Sequence, residues 1–141
     1  MEQPIRGRFA PSPSGRMHLG NLFSALLAWL SVRSAGGRMV LRIEDLDPDR
    51  CREAYARQLA EDLRWLGLDW DEGYEAGGPH GPYCQSQRTG RYTAAFQFLE
   101  EKGLLYPCYC TRAERLAASA PHRADGQAVY GGKGIPAGHR Q

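Results

Sequence analysis

Arg6-Gly7-Arg8-Phe9-Ala10-Pro11-Ser12-Pro13-Ser14-Gly15-Arg16-Met17-His18-Leu19-Gly20-Asn21 is the stretch from which the fold can be read. Residues 6–10 lie between Pro4 and a run dense in turn formers, which predicts a strand feeding a loop. From His18 onward, Leu19, Leu22, Phe23, Leu26, Leu27 and Leu30 recur at helical spacing, and Gly36-Gly37 supplies a stop. This is the pattern of an amphipathic helix with that stripe turned to the core. Residues 39–43 are almost continuously apolar and predict a second strand, which runs into Glu44-Asp45-Leu46-Asp47. Asp47-Pro48 then opens a second helix with Ala56, Leu59, Leu63 and Leu66 on one face and Gly67 at its end. After the Gly-rich residues 72–81, residues 82–86 predict a third strand, and residues 88–102 a third helix with Tyr92, Ala95, Phe96 and Leu99 in register. Strands alternating with helices of these lengths pair in parallel through right-handed crossovers, so the fold class is an open α/β sheet. Binding sites in such sheets lie at the carboxyl ends of the strands. Beyond Gly103 the alternation breaks: residues 104–110 read as extended, and Thr111-Arg112-Ala113-Glu114 as the capping box of a short helix.

The rest of the composition narrows the class without naming a partner. With 141 residues, of which 42% are hydrophobic, there is apolar material for one compact core only. Eighteen Lys and Arg against sixteen Asp and Glu leave a net charge of +2, far from a polybasic binder. The longest apolar run, Ala25-Leu26-Leu27-Ala28-Trp29-Leu30, is far short of the roughly 20 residues that cross a bilayer, so no membrane span is expected. The opening Met1-Glu2-Gln3-Pro4-Ile5-Arg6 has no signal-peptide pattern, and a cytoplasmic location with reduced cysteines is the expectation.

Two clusters carry chemistry. A helix starting at His18, Gly20 and Asn21 offers backbone N–H groups and the positive dipole end, and Gly20 lets a ring or phosphate approach the backbone closely. A lone His at a helix start is by itself a cap; the same strand end also carries Arg8 and Ser12, a cation and a hydroxyl suited to a carboxylate. The second cluster is Arg42-Ile43-Glu44-Asp45-Leu46-Asp47. If the first two strands are neighbours, Glu44 lies at the rim that holds Arg8, and the pair can grip the carboxylate and ammonium of an amino acid. Glu44 serves equally well, on its residue type, as a local structural acid, and Asp47 reads as a helix cap.

These residues together resemble the class I glutamyl-tRNA synthetases. His18-Leu19-Gly20-Asn21 stands in the place of the family's HIGH signature, and Leu41-Arg42-Ile43-Glu44-Asp45, residues 65–71 and Gln85-Ser86-Gln87-Arg88 extend the similarity to about Tyr130. Tyr106-Pro107-Cys108-Tyr109-Cys110-Thr111-Arg112, followed by Ser119-Ala120-Pro121-His122, resembles the glutamyl-queuosine tRNA(Asp) synthetase branch. The resemblance implies the first half of a Rossmann-like catalytic domain over residues 1–103 and the start of a small zinc-type subdomain over residues 104–141. It implies ATP with Mg at His18, Gly20 and Asn21, with His18 catalytic, and glutamate at Arg8, Ser12 and Glu44. The partner it implies is tRNA(Asp), with glutamate transferred to the queuosine base.

In the family, zinc is held by a Cys-x-Cys pair, a Tyr and a Cys four residues later. Here Cys108, Cys110 and Tyr130 fit, but Gly134 stands at the last position. Three donors make an incomplete tetrahedral set unless His139 or water supplies the fourth. The family's downstream lysine loop and further glutamate-binding residues have no match, and the chain reads as an N-terminal half. The alternatives are a glutamyl-tRNA synthetase fragment acting on tRNA(Glu) and a noncatalytic nucleotide- or tRNA-binding remnant.

Overall fold

The computed structural model describes residues 5–108, 111 and 113. The chain divides into two compact units, residues 1–91 and 92–141. The first holds β1 (Arg6–Phe9), α1 (Leu19–Ser34), β2 (Arg38–Leu41), α2 (Glu53–Trp65) and β3 (Glu72–Gly73), then a 3-10 turn at Gln85–Arg88. A third helix, α3 (Thr89–Glu101), begins there and continues into the second unit. No helix among the described residues is long and apolar enough to cross a membrane.

The three strands are parallel in the order β1-β2-β3, with Arg8 opposite Val40 and Val40 opposite Glu72. Alternation along the strands sorts side chains onto two faces. Phe9, Leu41 and Ile43 join Ala25 of α1 and Ala56, Leu59 and Leu63 of α2 in one core. Arg6, Arg8, Val40, Arg42 and Glu72 belong to the other face by the same register. There Glu72 is buried beneath Arg6, which forms an ion pair with it, and Tyr83, whose hydroxyl donates to Oε1 at 2.7 Å.

Helix α1 turns a different stripe to the sheet from the one its leucines predict. Ala25 and Val32 are buried and Leu22 and Trp29 half-buried, whereas Leu19 is 82% and Phe23 58% exposed, with Leu26, Leu27 and Leu30 also exposed. The helix approaches β1 closely: a Cβ on Gly7 would lie 1.9 Å from Val32 Cγ2, so α1 rests on the strand at a position without a side chain. The leucines are turned out, and Leu19, Phe23 and Leu26 line an open apolar groove with Leu66 and Leu68.

Two further expectations are corrected. The third strand is Glu72–Gly73, inside the Gly-rich connection, and residues 82–86 contribute one parallel bridge, Cys84 to Ile43. Pairing stops there because the Ser86 amide and hydroxyl donate to Asp45, at 2.9 and 2.7 Å, and open the 3-10 turn instead. Helix α2 starts at Glu53 rather than after Asp47, whose carboxylate accepts the Asp49 and Arg50 amides and closes a separate turn. Its buried face is Ala56, Leu59, Ala60 and Leu63, while Leu66 is a partly exposed C-cap.

At the opposite end of the sheet, Arg33 bridges Asp69 at 3.0 Å and Asp71 at 2.7 Å. The Trp29 indole N–H donates to Asp69, and the Met39 amide to Asp71. The residues 65–71 thus tie the end of α1 to the start of β2.

Candidate functional site

His18 is the N-cap of α1, and its ring does more than cap. Nδ1 accepts the Gly20 amide at 3.1 Å while Asn21 Oδ1 accepts the His18 amide at 3.2 Å, a reciprocal capping box. An Nδ1 that accepts leaves the proton of a neutral imidazole on Nε2, so the ring presents one N–H donor away from the helix. The amides of Asn21 and Leu22 both donate to the His18 carbonyl. The backbone donors expected to be free at this helix start are therefore largely occupied. Gly20 makes the arrangement possible: a Cβ there would lie 3.0 Å from His18 Cε1 and 3.2 Å from Nδ1.

Around His18 is a cleft of about 540 Å³ lined by Phe9, Ala10, Pro11, Ser12, Ser14, Gly15, Arg16, Met17, His18 and Asn21. Its loop is pinned from behind. The Glu44 amide donates to the Pro11 carbonyl at 2.9 Å, the Arg52 amide to the Pro13 carbonyl at 3.0 Å, and Pro13 is fully buried. The loop after β1 is thereby fixed to the ends of β2 and of the turn before α2, which holds the Ser12 hydroxyl and the imidazole at one mouth. The apolar groove beside it offers no comparable set of donors.

Among the expected site residues, Ser12, His18, Gly20 and Asn21 lie together at this end of α1. Arg8 is exposed on the sheet face away from the helices, and Glu44 follows β2 at the same carboxyl end. Glu44 forms an ion pair with Arg42, two residues before it. The sequence placed Arg42 in the same cluster but gave it no role, although its spacing from Glu44 along an extended strand puts the two on one face. Of the expected metal ligands, Cys108 is exposed, and Cys110 and Tyr130 lie outside the described residues. Among the described residues no three His, Cys, Asp or Glu side chains are grouped to hold an ion.

The family model described as tRNA synthetases class I (E and Q), catalytic domain, matches residues 4–129. The chain belongs to that class I synthetase family. A glutamyl-Q tRNA(Asp) synthetase of Symbiobacterium thermophilum is 63% identical over 117 residues, 82% of this chain and 36% of its own length. The glutamate–tRNA ligase of the same organism is 46% identical over 123 residues, 87% of this chain and 26% of its own length. Among solved structures, a glutamate tRNA ligase from Elizabethkingia meningosepticum, in complex with its amino acid, superposes with a TM-score of 0.72 at 35% identity. That match covers 90% of this chain and 25% of the ligase. This class I synthetase chain thus spans about a third of the length of the curated relatives it matches.

Proposed function

We propose that the chain supplies the nucleotide cleft and part of the glutamate site of an enzyme that activates glutamate with ATP and transfers it to the queuosine base of tRNA(Asp). In the activation step a glutamate carboxylate oxygen attacks the α-phosphorus and pyrophosphate leaves, giving a glutamyl adenylate. The His18 Nε2–H donates to a phosphate oxygen as charge develops on it, and Arg8 faces the glutamate carboxylate. Glu44, steadied by Arg42, takes the ammonium group, and the Ser12 hydroxyl completes the mouth. ATP brings its own Mg. The zinc expectation adds no step, since Cys108, Cys110 and Tyr130 are three donors with Gly134 at the fourth position.

The observation that supports this reading is the held imidazole: Nδ1 accepts the Gly20 amide, which leaves Nε2 as the ring's donor, and His18 lines the cleft. Preference for queuosine-bearing tRNA(Asp) rests on the greater identity to the Symbiobacterium protein of that name than to its glutamate–tRNA ligase. The test is to replace the matching segment of the Symbiobacterium glutamyl-Q tRNA(Asp) synthetase with this chain's residues. Glutamate transfer is then measured on queuosine-bearing tRNA(Asp) and on tRNA(Glu). Transfer to the former alone is expected; transfer only to tRNA(Glu) would establish the ordinary synthetase reading, and loss of pyrophosphate exchange would remove the enzymatic one.

A further inference from the structure

We propose that Gln85 is a specificity-determining residue of the glutamate site, its side-chain carbonyl accepting a hydrogen bond from the substrate ammonium beside Glu44. The proposal rests on the reading that Glu44 takes that ammonium and deepens it by naming a second acceptor. The backbone puts the two residues side by side. Ile43 and Cys84 form a parallel bridge, in which the Ile43 amide donates to the Tyr83 carbonyl at 2.9 Å and the Gln85 amide to the Ile43 carbonyl at 2.8 Å. Successive residues of a strand alternate between faces, and paired residues share one. Ile43 is buried in the core and Cys84 packs against it, so Glu44 and Gln85 fall together on the opposite face. The next pair keeps the register, since the Asp45 carboxylate accepts both the amide and the hydroxyl of Ser86.

An ammonium carries three N–H donors, more than one carboxylate oxygen satisfies. Glu44 Oε1 is held by Arg42, which leaves Oε2 without a side-chain partner among the described residues. Asp45, the neighbouring acid, is committed to Ser86. Gln85 is half-buried, its backbone is fixed to β2, and its side-chain amide has no hydrogen-bond partner among the described residues. A neutral acceptor suits that place, because it takes an N–H from the ammonium without setting a further negative charge beside the substrate carboxylates. A dicarboxylate without the amino group would desolvate Glu44 and Gln85 and pair with neither, and is rejected on that ground.

The test uses the whole 141-residue chain. L-Glutamate and glutarate, the same dicarboxylate without the amino group, are titrated into the wild type, Gln85→Ala, Gln85→Glu and Glu44→Gln. Binding is followed by amide resonances, with thermal melts of each protein. The wild type should prefer glutamate. Gln85→Ala should weaken glutamate about tenfold and leave glutarate unchanged, as loss of one hydrogen bond to a charged group predicts. Gln85→Glu keeps an acceptor oxygen and should retain the preference. The melt of Gln85→Ala should coincide with that of the wild type, because the lost side chain holds nothing in the fold. If Gln85→Ala leaves the glutamate-to-glutarate ratio unchanged while Glu44→Gln lowers it, the role of Gln85 is overturned and the glutamate site stands. If the wild type does not prefer glutamate to glutarate, the ammonium reading of Glu44 falls and the Gln85 proposal with it.

Discussion

His18 Nδ1 accepts the Gly20 amide at 3.1 Å, and this contact makes the residue the cap of α1 and, in the proposed function, the donor at the cleft. Those roles separate in two substitutions. Asn is a good N-cap but has no atom where Nε2–H stands, so His18→Asn should keep its stability and lose ATP affinity. His18→Ala should lose both, with about 1 kcal/mol off the unfolding free energy. Urea unfolding and ATP titration of the two variants check this. In the chimera with the Symbiobacterium enzyme either change should slow glutamate-dependent pyrophosphate exchange roughly a hundred- to a thousandfold, the worth of one donor to developing charge.

Gly20→Ala acts on the same contact from the other side. Ala is the better helix former by about 1 kcal/mol. The new methyl would sit 3.0 Å from His18 Cε1 and push the ring off its cap, a loss of similar size. A nearly unchanged Tm with reduced ATP affinity is the expected pair of results, read by calorimetry.

How much of this was legible in the sequence differs by element. The strand, loop and helix of residues 6–34 were, because Pro and Gly punctuate them and the helical spacing of the leucines is unmistakable. Which face of α1 is buried was not, because apolar side chains occur nearly all round this helix and their spacing does not single out the stripe of Ala25 and Val32. The third strand was misplaced because two residues, Glu72–Gly73, are too few for a periodicity. The Asp45 carboxylate that ends pairing at Cys84 acts across 41 residues of sequence. At the candidate site, His18 and Ser12 could be picked out by type and position. The Arg42 partner of Glu44 was hidden behind the more familiar expectation of an Arg8 partner.

The Arg33 clamp gives stability a defined pH dependence. The Asp69 carboxyl is lowered by the Trp29 indole N–H and then by Arg33. For Asp71 burial pushes upward, but the Met39 amide and Arg33 outweigh it, and the net shift is downward. Carboxyls lower in the folded than in the unfolded chain bind fewer protons when folded. Their stabilisation is fully present above the unfolded value near 3.9 and is lost as pH falls through the folded values. Arg33 is raised, chiefly by Asp71, and stays charged throughout. The urea midpoint of the wild type should exceed that of Asp71→Asn by a constant amount above about pH 5, with the gap closing toward pH 2.

The far face of the sheet depends on the absence of a side chain at Gly78. A Cβ there would lie 2.5 Å from Glu72 Cγ and 2.6 Å from the Tyr83 hydroxyl, at a backbone φ of 134°. Gly78→Ala should therefore destabilise by about 1–3 kcal/mol or more. Tyr83→Phe, which deprives buried Glu72 of a donor, should cost about 1–3 kcal/mol. Since both act on one network, the double variant should lose less than the sum, which denaturant unfolding of the four proteins would measure.

The claim on which the rest depends is that an anionic nucleotide meets a preset imidazole donor at the start of α1. Nitrogen and proton resonances of His18 and of the Gly20 amide, followed during ATP titration of the isotopically labelled chain, test it most directly. Nε2 should carry the ring proton and Nδ1 none before ATP is added; saturable shifts of His18, Gly20 and Ser14 should follow on addition and vanish in His18→Asn. A proton on Nδ1 in the free protein, or ATP-dependent shifts confined to the apolar groove of Phe23, Leu26 and Leu66, would contradict it.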